Sequence, residues 1–279
     1  MSLHLDNKLN RLNRILPEGL LVDAAQLERM GYSRSLRSQY VASGWLEQPT
    51  RGVFRRPRGE VSWEQVIVSL QTLMTYPVSV GGRTALELQG YAHYLPQSQQ
   101  AIHLYTDKKL PAWLGKLPLS ECFIIHNRTR LWPECASYAS LSLDTNIKPT
   151  TILTGEFRLI PWGQWHWPIV LSTPERAYLE FLDELPNNDT FHMADVLMEG
   201  LVDISPRRMQ LLLESIKSIK VKRLFLFFAK RHRHQWLNRI EHTRIHLGSG
   251  KRVLTHGGKL DPDHLITVPE EFIEITHEL

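Results

Sequence analysis

Residues 29–58 have the sequence RMGYSRSLRSQYVASGWLEQPTRGVFRRPR, which holds seven arginines and a single acid, Glu47. Seven positive charges and one negative charge give this stretch a net charge of +6, whereas the complete chain of 279 residues has a net charge of +4. The positive charge is therefore concentrated in one place along the chain. The same stretch contains residues that typically begin and end structural elements, in the order of a helix, a tight turn, a second helix and a hairpin with a glycine in its turn. Basic charge on this pattern is typical of a winged helix-turn-helix that binds DNA.

The neighbouring residues supply the other helices that such a domain needs. Leucines recur at helical spacing over residues 5–16, which predicts a first helix. Asp23 is suited to be the N-cap of a second helix, and Ser33 is suited to be the N-cap of a third helix that ends at Gly44. A fourth helix is predicted over residues 63–75, where apolar residues repeat every three or four positions.

The third helix and the hairpin are the predicted DNA-contacting elements. Arginine can hydrogen-bond guanine, glutamine can hydrogen-bond adenine, and serine can contact either bases or phosphate. The arginines of the hairpin would neutralise backbone phosphates as a wing does. A solvated, arginine-rich surface is the alternative interpretation. The predicted contacts are Arg34, Ser35, Arg37, Ser38 and Gln39 on the helix, and Arg51, Arg55, Arg56 and Arg58 on the wing.

Composition sets wide limits on the class of protein. The chain is 42% hydrophobic and 22% charged, with a pI of about 9.1, which is typical of a globular protein and suits an anionic partner. Cys122 and Cys135 are too few for a disulfide framework and favour a reducing compartment. The first residues lack the apolar core of a signal peptide, and no apolar run reaches the roughly 18 residues of a membrane span. We therefore expect a cytoplasmic protein with no membrane partner.

A change of pattern near Pro77 divides the chain into two predicted domains. Strand-like runs follow it and then give way to amphipathic helical segments. The sequence predicts an α+β protein, with a winged helix-turn-helix domain over residues 1–77 and a larger α+β domain over residues 78–279 that ends in helices. The larger domain has predicted strands at 101–105, 123–126 and 157–160. Two of its predicted helices begin at a proline that follows an N-cap, namely Pro174 after Thr173 and Pro206 after Ser205. Two others begin at His192 and at Lys222, and the last one extends to Ile240.

Charge is also segregated along the second domain. Residues 217–233 hold seven cations and no acid, and residues 175–203 hold eight acids against one arginine. The first window would form a second basic surface that extends a DNA footprint, and the second would form an acidic surface suited to a basic protein partner. Solvated helical faces are the alternative interpretation of both windows. The second basic surface would consist of Lys217, Lys220, Lys222, Arg223, Lys230, Arg231 and Arg233.

The motifs that carry catalytic chemistry are weak in this sequence. His232 and His234 are two residues apart, so on a helix they would point away from each other rather than share a metal. Gly81-Gly82 lacks the lysine of a phosphate loop and is predicted to be a turn that lets a helix pack closely. The enzyme alternative is a metal-dependent nuclease domain in which Asp107 would hold Mg²⁺ with a second acid. Because that second acid is not evident, we expect a non-enzyme with no cofactor and no metal.

Four short segments give a more specific indication than charge does. They are Gly52–Pro57 (GVFRRP), Thr84–Leu95 (TALELQGYAHYL), Ile102–Tyr105 (IHLY) and Thr173–Ala177 (TPERA). In this order and at this spacing they resemble the AbiEi family of antitoxins, from bacterial type IV toxin–antitoxin systems. The resemblance extends over roughly residues 20–235, although each segment alone is short.

The resemblance implies a regulator rather than an enzyme. Members of the family bind the promoter of their own operon through an N-terminal winged helix-turn-helix, and their C-terminal domain takes part in antitoxicity and repression. The implied partners are double-stranded DNA, as an operator with inverted or direct repeats, and a nucleotidyltransferase-like toxin; the implied setting is phage defence. A DNA-binding regulator in a defence or mobile-element locus without a cognate toxin is the alternative that the resemblance leaves open.

Overall fold

The first domain has the helix and strand order of a winged helix-turn-helix. The computed structural model describes residues 2–91, 101–134, 141–143 and 155–273, so Cys135 and the predicted motif residues 92–95 lie outside the described residues. The domain consists of α1 (Ser2–Ile15), β1 (Leu21–Asp23), α2 (Ala24–Arg29), α3 (Arg34–Ala42), β2 (Glu47–Thr50), β3 (Val53–Arg55) and α4 (Trp63–Val68). The four predicted helices and the predicted hairpin are confirmed.

Local chemistry determines where α2 and α3 begin and end. The Asp23 carboxylate accepts a hydrogen bond at 2.7 Å from the backbone N–H three residues on, and the Ser33 hydroxyl accepts one at 3.4 Å from the corresponding position. Both are N-cap interactions that satisfy free donors of the first turn. Gly31 and Gly44 follow the two helices with φ of +91° and +73°, a left-handed conformation that costs glycine little.

A third strand, β1, fixes the hairpin against the helices. It pairs antiparallel with β3, so the sheet order is β1-β3-β2. In addition, the backbone N–H of Ala24 donates to the carbonyl of Gly52 at 2.8 Å, which joins the start of α2 to the turn of the hairpin. The sequence did not predict β1, because three residues inside an apolar run show no period-two alternation.

A π-helical turn, Ser69–Leu73, continues α4 and joins the first domain to the second. The side chain of Gln71 is buried there. Its Nε2 donates to the carbonyls of Val78 at 2.8 Å and Val170 at 3.1 Å, and its Oε1 accepts from the backbone N–H of Val170 at 2.9 Å. Buried apolar residues of both domains also form one continuous cluster. The winged helix-turn-helix is therefore packed directly onto the second sheet.

A mixed five-stranded sheet organises the second domain. β5 and β6 are parallel, as are β4 and β8, whereas β4–β5 and β7–β8 are antiparallel. Three of the strands were predicted. β8 was missed because all of its residues are buried, which gives a continuous apolar run, and β4 is only three residues long. The strands are β4 (Val78–Val80), β5 (Ala101–Thr106), β6 (Cys122–Asn127), β7 (Phe157–Trp162) and β8 (Trp167–Ser172), in the order β6-β5-β4-β8-β7.

Helices pack around α6, which is the centre of the second domain. Residues 174–182 of α6 are buried, and the helix contacts α5, α7, α8 and α9. Thr173 occupies the N-cap position as predicted, but its hydroxyl makes no capping hydrogen bond. The helices are α5 (Gly82–Leu88), α6 (Pro174–Asp183), α7 (Phe191–Gly200), α8 (Pro206–Ser215) and α9 (Ile219–His232), and a two-stranded sheet of β9 (Lys259–Asp261) and β10 (Ile266–Val268) follows them.

The end of α9 differs from the prediction. The helix stops at His232 rather than at Ile240, because Arg233 adopts a left-handed conformation with φ of +53°. The reversal places the rings of His232 and His234 in a stack, with their centroids 5.9 Å apart. The expectation that these two histidines point away from each other is therefore wrong, since it assumed a continuous helix.

A buried ion pair lies within α6, and its carboxylate also binds the start of α5. Arg176 Nε lies 2.8 Å from Glu180 Oε1, and both side chains have no exposed surface. Glu180 also accepts hydrogen bonds from the Gly82 backbone N–H at 3.0 Å and from Ser172 Oγ at 3.1 Å. Burial raises the pKa of the Glu180 carboxyl, and Arg176 and the other donors oppose that rise. A Cβ at Gly81 would collide with the Glu180 carboxylate, so the predicted close packing at the glycine pair is confirmed.

The two charge windows of the second domain pair with each other. Lys220 Nζ lies 3.5 Å from Asp183 Oδ1, and Arg231 Nε lies 3.1 Å from Asp195 Oδ1. Other acids of residues 175–203 pair elsewhere; for example, Glu175 lies 2.8 Å from Arg208. The expectation of a continuous acidic surface is therefore wrong, because these carboxylates lie between packed helices and meet cations there.

The prediction of a second basic surface is also wrong. Arg223 is buried and donates to four backbone carbonyls of the segment that precedes β9 and of the β9–β10 turn. Lys222 is buried, and Lys230 pairs with Asp263. Of the seven predicted residues, Lys217 and Arg233 are the two exposed cations that make no ion pair with another described residue.

Candidate nucleic-acid interface

A groove separates α3 from the wing, which comprises β2, β3 and the turn between them. The groove has a volume of about 510 Å³. Arg34 and Ser38 line it from α3, Gln48 and Arg51 line it from the wing, and Phe54 contributes from β3. Arg34 and Ser38 of the predicted reading helix therefore face the tip of the predicted phosphate-binding hairpin across a concave surface.

Five of the nine predicted contact residues are exposed on α3 and the wing. Arg34 stands at the first position of α3, and Arg51 stands at the wing tip next to Gly52, whose φ is +83°. Neither arginine makes an ion pair with another described residue. Their guanidinium groups are therefore available to an external anion. The five exposed residues are Arg34, Ser35, Ser38, Gln39 and Arg51.

Arg37 is buried, contrary to the expectation that it faces outward. It is 6% exposed, and its Nη1 donates to the carbonyl of Tyr32 at 2.7 Å and to that of Ala24 at 3.3 Å. Its guanidinium lies 5.8 Å from the ring centroid of Phe54. Arg37 stands three residues before Tyr40, on the buried side of the helix. It therefore joins the helix-turn-helix to the wing strand and positions α3, and it does not offer a free charge.

Arg55 and Arg56 are also held by partners within the domain. Arg55 is 6% exposed, and its Nε donates to Glu47 Oε2 at 2.7 Å across the wing. Arg56 Nη2 lies 2.9 Å from Glu18 Oε1, and its Nη1 donates at 3.3 Å to carbonyls at the end of α1, where a cation is favoured by the helix dipole. The expectation that these arginines project from the wing is wrong, since they follow the tip and lie in or near the middle strand of the sheet.

Arg58 contacts the second domain. Its guanidinium lies 5.9 Å from the ring centroid of Trp165, in the turn between β7 and β8. This contact places the tryptophan-rich turn around Trp165 against the winged helix-turn-helix domain. Arg58 therefore belongs to the contact between the two domains rather than to the wing.

A second cluster of titratable side chains lies on the sheet of the second domain. His103 Nδ1 and His126 Nε2 are 3.0 Å apart, and the Tyr105 ring stacks on His126 at 4.5 Å between centroids. His126 Nδ1 lies 3.3 Å from Glu184 Oε1. Burial, together with the charges of His126 and Arg83, lowers the pKa of His103 to about 4. These contacts tie the edge strand β6 to the end of α6. They were not predicted from the sequence, although both histidines lie on predicted strands.

The low pKa of His103 predicts a loss of stability in acid. A histidine in the unfolded chain binds a proton near pH 6.5, and folded His103 binds one near pH 4. The unfolded state therefore binds more protons over this interval, and the free energy of unfolding should fall by about 3 kcal/mol as the pH decreases from 6.5 to 4. Urea unfolding at both pH values would measure the loss. The variant His103→Gln should lose less over the same interval; an equal loss in both proteins would contradict the assignment.

Asp107 is engaged by a cation and not by a second acid. It follows β5 as expected, and its Oδ2 lies 3.2 Å from Arg128 Nη2. Within the part of the chain that the structure describes, no three His, Cys, Asp or Glu side chains come together to hold a metal ion. In the same ranges, no helix has both the length and the apolar character needed to cross a membrane.

Comparison with known proteins identifies relatives of both halves of the chain. Residues 5–97 match a family described as transcriptional regulator, AbiEi antitoxin N-terminal domain. Residues 99–269 match a family described as transcriptional regulator, AbiEi antitoxin, type IV TA system. No curated protein matches the chain. Among solved structures, the RV2827C protein from Mycobacterium tuberculosis is similar in fold, with a TM-score of 0.55 and 15% identity over 92% of this chain and 88% of that chain.

Proposed function

The chain belongs to the AbiEi antitoxin family of type IV toxin–antitoxin transcriptional regulators, and from this premise we propose that it binds double-stranded DNA as an autorepressor and acts as an antitoxin. In this proposal α3 reads bases in the major groove of an operator that contains inverted or direct repeats. The toxin that it counters is a nucleotidyltransferase-like protein.

The groove between α3 and the wing is the observation that carries this proposal. Arg34 and Arg51 stand on its two sides, and the residues that line it include no carboxylate. Such a concave, basic surface suits a phosphate backbone, because each neutralised phosphate releases counterions from the DNA. Gln39 and Ser38 are exposed on the adjoining surface of α3, where their amide and hydroxyl groups can hydrogen-bond base edges. The groove and the adjoining surface of α3 would therefore combine phosphate contacts that position a duplex with side chains that distinguish sequences.

Replacement of Gln39 with alanine should relax sequence preference. A lost bidentate contact removes about 1–3 kcal/mol of discrimination against other bases, so binding to the chain's own promoter should weaken while binding to random DNA of the same length changes little. Gel-shift titrations with both fragments measure the ratio of affinities. The exposed Gln235 of the second domain supplies the control variant Gln235→Ala. Equal weakening on both fragments would contradict base reading by Gln39, and no binding of the unmodified protein to its promoter would contradict the proposed autorepression.

Co-expression addresses the antitoxin role separately. A neighbouring nucleotidyltransferase-like gene, expressed alone, should arrest bacterial growth, and co-expression of this chain should restore it. Persistent arrest would contradict the antitoxin role. Cleavage of a plasmid in the presence of Mg²⁺ that is abolished by Asp107→Ala would instead assign a nuclease.

A further inference from the structure

The helix α1 lies against the turn that connects α2 to α3. Tyr32 Oη, in that turn, donates a hydrogen bond to the backbone carbonyl of Lys8 at 3.0 Å. In the opposite direction, Lys8 Nζ donates to the carbonyl of Gly31 at 3.3 Å. These two bonds fix one position of α1 beside the residues that lead into the reading helix.

Arg11 lies next to the same turn. It is exposed and follows Lys8 by three residues, so the two side chains stand on neighbouring positions of the helix surface. Burial raises the pKa of Tyr32, and the nearby positive charge of Arg11 opposes that rise. The guanidinium of Arg11 is therefore close enough to the Tyr32 hydroxyl to affect its ionisation.

The turn is flanked by basic residues of three helices. Lys8 and Arg11 come from α1, Arg29 ends α2, and Arg34 begins α3. Glu28, the acid that precedes Arg29, is directed toward the buried Arg37 at 3.7 Å. Like charges gathered in this way repel one another, and an external polyanion removes that repulsion.

We propose that Lys8 and Arg11 form a second phosphate-binding site, so that a DNA duplex is held on two backbone strands with α3 between them. This inference rests on the proposed binding of duplex DNA by α3. A helix in the major groove, which is about 12 Å wide, lies between two phosphate backbones. The wing tip at Arg51 holds one backbone, and α1 beside the turn holds the other.

The donors at this site suit phosphate oxygens. A lysine ammonium has three N–H donors, and Lys8 uses one of them on Gly31, which leaves two. The Arg11 guanidinium can donate to two oxygens of one phosphate at once. The hydroxyls of Ser33 and Ser35, 3.1 Å apart, flank Arg34 at the start of α3 and provide further donors there.

The double variant K8Q/R11Q tests the second site. Glutamine keeps the helical propensity of α1, and the hydrogen bond from Tyr32 to the Lys8 carbonyl does not involve the substituted side chain, so the thermal midpoint should fall only slightly, through loss of the Lys8–Gly31 bond. The slope of log affinity against log salt should become shallower by about 1.8, because each lost phosphate contact contributes about 0.9. The preference for promoter over random DNA should remain, since phosphate contacts carry no base information.

Two further variants and one modification experiment separate the outcomes. K8R/R11K keeps both charges and should keep the slope, whereas K217Q/R239Q removes two exposed charges of the second domain and should also keep it. In a phosphate ethylation interference experiment, K8Q/R11Q should lose the interference signal on one DNA strand and keep the signal on the other. If the unmodified protein binds DNA and K8Q/R11Q keeps its slope, or if K217Q/R239Q flattens the slope equally, the second site is overturned while the proposed function stands. If the unmodified protein binds no DNA, the proposed function itself fails.

Discussion

Replacing the buried Arg176 with methionine lowers the free energy of unfolding by about 3–5 kcal/mol, the usual cost of leaving one member of a buried ion pair without its partner. Arg176 and Glu180 are both fully buried and lie 2.8 Å apart. The guanidinium also lies over the Trp132 and Phe157 rings at 4.3 and 4.7 Å from their centroids, an arrangement that favours a cation. Methionine fills much of the same volume, so the loss reports the missing charge rather than a cavity. Urea unfolding near neutral pH measures it.

A double variant and a surface control make the result specific. Glu180→Gln removes the carboxylate charge but keeps one acceptor oxygen for the Gly82 N–H, and the Ser172 hydroxyl can turn to accept from the new amide. In Arg176→Met with Glu180→Gln, the loss should therefore be smaller than the sum of the two single losses. The exposed Arg207 on α8 supplies Arg207→Met, which should change stability by less than about 0.5 kcal/mol. An Arg176→Met protein as stable as the Arg207→Met protein would show that the ion pair does not stabilise the fold.

Local signals were sufficient to predict the helices and the hairpin of the first domain. The caps Asp23 and Ser33 and the left-handed glycines Gly31 and Gly44 act through residues within a few positions of themselves, so the sequence shows them directly. The strands β1 and β4 were not predicted, because a three-residue strand has too little pattern to separate it from a loop. Their existence depends on pairing with strands that are distant in the chain.

The roles of individual charges could not be predicted from local signals. Arg55 lies in the middle strand of a sheet whose first strand was not predicted, and there it meets Glu47. The distribution of net charge along the chain did indicate that the two charged windows could pair, although the prediction did not use it. Residues 217–233 hold seven cations, and residues 175–203 hold eight acids and one arginine, so the two windows are equal and opposite. Opposite charges on adjacent helical segments are as consistent with pairing between the helices as with two separate surfaces, and Lys220–Asp183 and Arg231–Asp195 are such pairs.

The candidate interface is correspondingly smaller than the arginine count of residues 29–58 indicated. Four of the nine predicted contacts, namely Arg37, Arg55, Arg56 and Arg58, are occupied by partners inside the protein. They hold α3, the wing and the second domain in fixed positions. The arginines that remain for DNA among the predicted contacts are Arg34 and Arg51, so these two should account for most of the electrostatic contribution of the groove.

The double variant Arg34→Ala with Arg51→Ala should therefore weaken DNA binding by about 10- to 100-fold at physiological salt and make the salt slope shallower by about 1.8. Both residues are exposed, so the thermal midpoint should not change. Gel-shift titrations over a range of salt concentrations measure both quantities. Retention of the slope would contradict the groove as the phosphate-binding surface.

Arg55→Ala is the matched control, because it removes an arginine of the same hairpin whose guanidinium is buried against Glu47. It leaves the Glu47 carboxylate without its partner, so it should lower the thermal midpoint. At temperatures where the variant is folded, it should keep the salt slope, since a contact that did not involve phosphate releases no counterions. The two variants thus distinguish arginines that bind DNA from arginines that build the surface. A shallower salt slope in Arg55→Ala, together with an unchanged salt slope in the double variant Arg34→Ala with Arg51→Ala, would mean that β3, and not the wing tip, faces the DNA.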